Sequence, residues 1–192
     1  MVRAAVGLRV KSGWAMSVLV AGDTGTPRVV ACRRVELADP LVPESVQPYH
    51  AALDLAGDRA RRTVAKLVQV VERTSQRSLA QLLEEYRRGG HELVGAGIVV
   101  GSTIDPATIG NDHIRAHAEE GRLFRRVLES GVREHGIATR VMLEQQALAQ
   151  ASAALQRGER ELRSALAALG KGVSDRWRAE EKLATLAAWL ML

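Results

Sequence analysis

Aromatic residues are nearly absent: one Phe, two Tyr and three Trp account for 3% of the 192 positions. A core must therefore be assembled mainly from Ala, Val and Leu. The single cysteine, Cys32, rules out an internal disulfide and fits a reducing, cytoplasmic setting. No apolar run approaches the roughly 18–20 residues that cross a bilayer, so no membrane partner is expected. The opening segment, Met1–Val10, lacks a secretory cleavage pattern and reads directly as a strand. The phosphate-loop patterns GxxxxGK[ST] and GxGxxG are missing. Internal repeats, low-complexity tracts and long linkers are missing too, so 1–192 is expected to form a single domain of ordinary size.

What the chain does contain is typical of a globular protein: 46% hydrophobic and 26% charged residues. The formal net charge is +5 and the pI is about 10.0, a balance that favours phosphate-rich partners. The basic residues are mostly arginines interspersed with acids, as in high-GC bacterial sequences, and a solvated surface explains that pattern equally well.

Short apolar runs over Ala4–Val10 and Trp14–Ala21 flank the turn-forming Lys11-Ser12-Gly13 and predict a β-hairpin. A second turn over residues 22–27 leads into a third strand, Arg28–Leu37. Pro40, Pro43 and Pro48 then exclude a regular helix from Asp39 to Gly57, leaving Tyr49 and His50 on a loop. Asp58–Arg88 is the clearest helix, with Val64, Leu67, Val71, Leu79, Leu82, Leu83 and Tyr86 at spacings of three or four. His91–Val100 reads as a strand buried on both faces. A helix over His113–His135, a strand over Ile137–Leu143 and a helix over Gln146–Leu169, irregular near Gly158, follow. After a link at Gly170–Ser174 comes a last helix, Arg176–Leu192. The order βββαβαβα plus an extra C-terminal helix predicts an α/β fold: a mixed five-stranded sheet, three antiparallel strands then parallel ones, with helices on both faces.

This order resembles the ribonuclease H-like fold. The stretch Val6-Gly7-Leu8-Arg9-Val10-Lys11-Ser12-Gly13-Trp14-Ala15 is similar to the first hairpin of RuvC-type Holliday-junction resolvases. Ala179-Glu180-Glu181-Lys182-Leu183-Ala184 is similar to their last helix, and the pattern also resembles small bacterial proteins. The resemblance implies a site where carboxylates from the first strand, the fourth strand and the last helix hold two divalent cations that activate water. Magnesium needs such hard oxygen ligands. In this chain the first-strand aspartate position is Arg9, and Ile98-Val99-Val100-Gly101 offers no acid before Asp105. Only Glu181 and Glu180 remain as catalytic candidates at the usual place. The resemblance therefore implies a degenerate, pseudo-nuclease version of the domain, with no metal at the usual site and no cofactor. The kinase- and actin-like ATPases of the same superfamily are a poorer match: Lys11-Ser12-Gly13 is too short for a phosphate hairpin, and Gly95 and Gly97 lie within a strand, where small residues permit close helix packing.

Arg9, Lys11, Arg33 and Arg34, with Ser12 and His50, form a candidate anion- or nucleic-acid-binding set. A charged residue inside an apolar strand needs a partner; Glu181 or Glu36 is expected to supply one for Arg9. Ser12 has no identifiable His/Asp pair, which argues against a serine nucleophile. His113, His117 and Glu120, at i, i+4 and i+7, share a helix face and could chelate a metal or supply a base. Edge histidines making local hydrogen bonds explain the same spacing. Glu144, after the fifth strand, lies where α/β ligand sites often form. Trp14, Trp177 and Trp189 are expected to pack rather than stack on bases. Three functional classes follow: a nucleic-acid-binding, resolvase-like domain without the two-metal site; a hydrolase or nuclease with a relocated site built from His50, His113, His117, Glu120 and Glu181; and a partner-binding module, as a homodimer through the Ala/Leu-rich C-terminal helices.

Overall fold

The chain closes its first hairpin at the predicted triplet. Strands β1 (Val2–Lys11) and β2 (Trp14–Ala21) pair antiparallel, with Arg9 opposite Met16 and Lys11 opposite Trp14. Gly13 turns at φ +80°, in the left-handed region that glycine enters freely. Its carbonyl accepts the amides of Leu37 and Ala38, which ties the turn to the end of β3 (Arg28–Glu36). β4 (His91–Val100) joins β1 in parallel and β5 (Thr139–Leu143) joins β4 in parallel, giving the order β3-β2-β1-β4-β5. This is the mixed five-stranded sheet expected from the sequence. The computed structural model describes residues 1–171, 173 and 177–192.

Strand alternation sorts the two faces. Ala4, Val6, Leu8 and Val10 of β1 enter a core completed by Leu79 and Leu83 of α1 (Gly57–Arg88) and by Phe124 and Leu128 of α2 (Asp112–Glu134). The alternate β1 residues, Ala5, Gly7 and Arg9, face the layer formed by α3 (Glu144–Leu155), α4 (Glu159–Leu169) and α5 (Ala179–Trp189). Here the glycines decide the packing. A Cβ on Gly7 would lie 1.6 Å from the Ala184 carbonyl oxygen, and one on Gly97 2.3 Å from that of Ala187. Without side chains at these two positions, α5 rests directly on β1 and β4.

Several sequence expectations change. The helix expected over Gln146–Leu169 is two, because Gln156 takes the left-handed conformation (φ 53°) and ends α3 before Gly158 starts α4. The Pro-rich connection carries two short 3-10 turns, Pro43–Val46 and His50–Ala52. Pro43 sits in the first turn of its segment, the helical position that tolerates proline. β5 begins at Thr139, and Ile137 is instead a buried core residue after α2. The last helix runs from Ala179 to Trp189, shorter than expected; its expected start, Arg176, and Gly172 and Ser174 of the expected link lie outside the described residues. Within α5 every residue from Ala184 to Trp189 is buried in this chain, so that stretch is not free to pair with a second copy. No helix among the described residues is long and apolar enough to cross a membrane.

Candidate functional site: a basic cleft and a histidine cluster

The parallel strands β1 and β4 end side by side, with Arg9 in register with Val99. Beyond their carboxyl ends lies a cleft of about 280 Å³, bounded by the β1–β2 turn, the loop after β4 and α2. Ligand sites of open α/β sheets form at such strand ends. The lining holds four cations, Arg9, Lys11, Arg122 and Arg125, and three hydroxyls, Ser12, Ser102 and Thr103. No carboxylate lines the cleft among the described residues. All four cations are steadied by acids outside the lining: Arg9 by Glu144, Lys11 by Glu180 at 3.2 Å, Arg122 by Glu119 at 2.6 Å, and Arg125 by Glu129 at 3.5 Å.

Arg9 is only 5% exposed. One of its terminal nitrogens donates to the Val10 carbonyl at 2.6 Å and the other forms an ion pair with Glu144, while its Nε has no partner. The expected pairing with Glu181 or Glu36 is thus corrected. Glu144 opens α3 directly after β5, and the parallel run of β1, β4 and β5 brings that helix start within reach of the guanidinium. Glu181 is occupied elsewhere. It accepts the Arg178 backbone N–H at 2.9 Å and so caps the helix it begins. Glu36 pairs with Arg34 at 2.5 Å. The Glu180 carboxyl is held below the usual range by the backbone N–H at the start of α5 and then by Lys11, with Arg9 adding to the effect.

The structure separates the other members of the anion set. Arg33 and Arg34 are neighbours in β3 and point to opposite faces. Arg33 turns to α1 and pairs with Glu85 at 3.2 Å, while the Arg34 guanidinium stacks 4.3 Å from the Trp14 ring centroid. Of that set only Arg9, Lys11 and Ser12 border the cleft. Arg122, Arg125, Ser102 and Thr103 escaped the sequence reading: arginines three apart on an amphipathic helix look like any solvated face. Two of the three tryptophans pack against the chain, and Trp14 is half-buried beneath Arg34. Trp189 is fully buried and donates to the Thr24 carbonyl at 2.9 Å, and Trp177 donates to that of Leu166 at 2.7 Å.

His50, His113 and His117 come together across 67 positions of chain. The 3-10 turn at His50–Ala52 packs on the start of α2, where His113 and His117 lie one turn apart. The three imidazoles are mutually inclined, with centroids 4.7 Å (His50–His113), 4.2 Å (His50–His117) and 4.8 Å (His113–His117) apart. One ring nitrogen from each lies within 4.8 Å of the others. Glu120, with 1% of its side chain exposed, accepts from both the backbone N–H of His50 at 3.2 Å and its Nδ1 at 2.8 Å. His50 Nε2 and Glu120 Oε2 are buried without hydrogen-bond partners. Glu120 therefore lies beneath the cluster instead of at its edge. Glu181 does not join it: α5 packs on the opposite face of the sheet from α2.

The sheet order, with helices on both faces, is that of a ribonuclease H-like fold. Two solved structures are similar in fold, one of Thermus thermophilus RuvC and one of T. thermophilus RuvC in complex with a Holliday junction substrate. Each is 14% identical, with a TM-score of 0.54 over 99% of this chain and 92% of that one. No family model and no curated protein matches the sequence. The likeness is one of fold.

Proposed function

We propose that this chain is a resolvase-like domain that binds the phosphate backbone of a nucleic acid in the cleft between β1, β4 and α2, without two-metal hydrolysis there. The observation that carries the reading is the cleft lining, with four cations, three hydroxyls and no carboxylate among the described residues. Two hard divalent ions need several carboxylate oxygens. The residues here do not fit them: Arg9 occupies the end of β1, Val99 stands beside it, and Glu144 and Glu180 are already paired with Arg9 and Lys11. Phosphate oxygens fit the same lining, since the solvent-reached Arg122 and Arg125 donate to them and Lys11 adds a point charge, while the buried Arg9 adds only its charge. The solved RuvC structure with a Holliday junction substrate supports a nucleic-acid partner by analogy of fold alone.

Gel-shift titrations of duplex and four-way-junction DNA at low salt test the proposal, followed by incubation of the complex with magnesium or manganese. Binding with no strand cleavage is expected. Absence of binding at low salt, or metal-dependent cleavage abolished by Glu180→Gln, would contradict it.

A further inference from the structure

We propose that His50, His113 and His117 form a binding site for one zinc-class transition-metal ion, oriented by Glu120, at the rim of the cleft. This goes beyond the nucleic-acid reading and does not depend on it.

The first argument is the choice of donors. Three imidazoles present three nitrogens to one small volume, all within 4.8 Å of one another. Imidazole suits zinc, copper, iron or nickel, whereas magnesium and calcium take oxygen ligands. A tetrahedral zinc with bonds of about 2.0–2.1 Å sets its ligands roughly 3.3 Å apart. The observed spacing closes to that by rotation of His113 and His117, both exposed on the first turns of α2.

The second argument is the hydrogen-bond inventory. His50 Nδ1 lies 2.8 Å from Glu120 Oε1, so Nδ1–H donates to the carboxylate and Nε2 keeps its lone pair for a ligand. That Nε2 is buried and unpartnered. A buried polar atom without a partner is unfavourable, and a metal ion bound at Nε2 removes the deficit. Carboxylate, histidine and metal in line form the arrangement in which an outer acid fixes the tautomer and ring orientation of a ligand. The second unpartnered atom completes the pattern. Glu120 Oε2 lies 4.0 Å from His117 Nδ1, in position to accept from it once His117 turns its Nε2 to the ion. One buried carboxylate then orients two ligands, which explains why Glu120 is sequestered beneath histidines and not paired with an arginine.

Three protein ligands leave a fourth position for water, the coordination of zinc sites that remain open. His117 also lines the cleft, so the site borders the surface assigned above to phosphate binding.

The test uses the full chain, dialysed against a chelator and titrated with zinc chloride by calorimetry and with cobalt(II) by visible absorption. One equivalent of zinc is expected to bind, and cobalt is expected to give the intense absorption of a four-coordinate site. His113→Ala and His117→Ala, at exposed positions that leave the fold intact, are expected to weaken zinc binding by roughly a hundredfold or more. Glu120→Gln, a change at a positioning residue, should keep the one-to-one stoichiometry and the cobalt band while weakening affinity by about 10–100-fold. Less than a tenth of an equivalent of bound zinc, or titrations unchanged in both histidine variants, would overturn the proposal. The readout is bound metal, so it succeeds or fails separately from DNA binding.

Discussion

At the level of single residues, Arg9 shows how a charge is accommodated in an apolar strand. Its guanidinium is buried, while Glu144 keeps 43% of its side chain exposed. Removing one partner of a fully buried pair is destabilising by about 3–5 kcal/mol, whereas replacing both partners with matched neutral groups is close to neutral. Because solvent reaches Glu144, Glu144→Ala is expected to destabilise the fold by about 1–3 kcal/mol in urea denaturation. The double variant Arg9→Met with Glu144→Gln should recover most of that loss; equal or greater destabilisation by the double variant would refute the pairing. Cys32 gives a second prediction. Burial, and then the nearby Glu181 charge, push its thiol up to about 11. At pH 8 the thiolate fraction falls by about two powers of ten relative to an ordinary cysteine, and the greater nucleophilicity of a more basic thiolate returns about one. Alkylation by iodoacetamide should thus be roughly tenfold slower, or slower still, than for a free cysteine peptide, while an equal rate would contradict this environment. That Arg9 is a charge within an apolar strand and needs a partner was legible in the sequence. Its partner was not, since that depends on where β5 delivers the start of α3.

At the level of elements, α5 makes the sharpest demand on its neighbours. Gly7 and Gly97 pave the strip it lies on, and a methyl group at either would meet helix backbone and not a movable side chain. Overpacking of a close-fitted core destabilises by about 1–3 kcal/mol, occasionally more. Gly7→Ala should therefore lower the thermal midpoint, whereas Gly121→Ala, whose Cβ would meet nothing within 4 Å, should not. Equal midpoints for the two variants would show that α5 does not rest on Gly7. The hairpin, the long helix α1 and the apolar strand β4 were readable because each rests on local signals: a turn triplet, a three-to-four spacing, an unbroken apolar run. An irregularity near Gly158 was legible, but a full break was not, because Gln156 enters the left-handed region, where glycine was the residue to look for. Glu120 was read as a ligand from its position three residues after His117. The fold turns it inward, where it accepts from His50, the ring supplied by the short 3-10 turn that precedes α1.

At the level of the whole molecule, a sheet similar in fold to that of RuvC carries a basic cleft at the carboxyl ends of β1 and β4. The net charge of +5 alone did not locate a surface; the fold does, by bringing Arg9 and Lys11 from β1 into one cleft with Arg122 and Arg125 from α2. That gathering rests on contacts more than a hundred positions apart in sequence, beyond the reach of periodicity or spacing. The most direct test is the salt dependence of DNA binding, measured for the parent chain and for Arg122→Ala/Arg125→Ala. Each phosphate contact contributes about 0.9 to the slope of log K against log salt on duplex DNA. Phosphate binding in the cleft predicts a slope shallower by about 1.8 in the double variant. An unchanged slope, with affinity intact, would place the nucleic acid elsewhere and contradict the account.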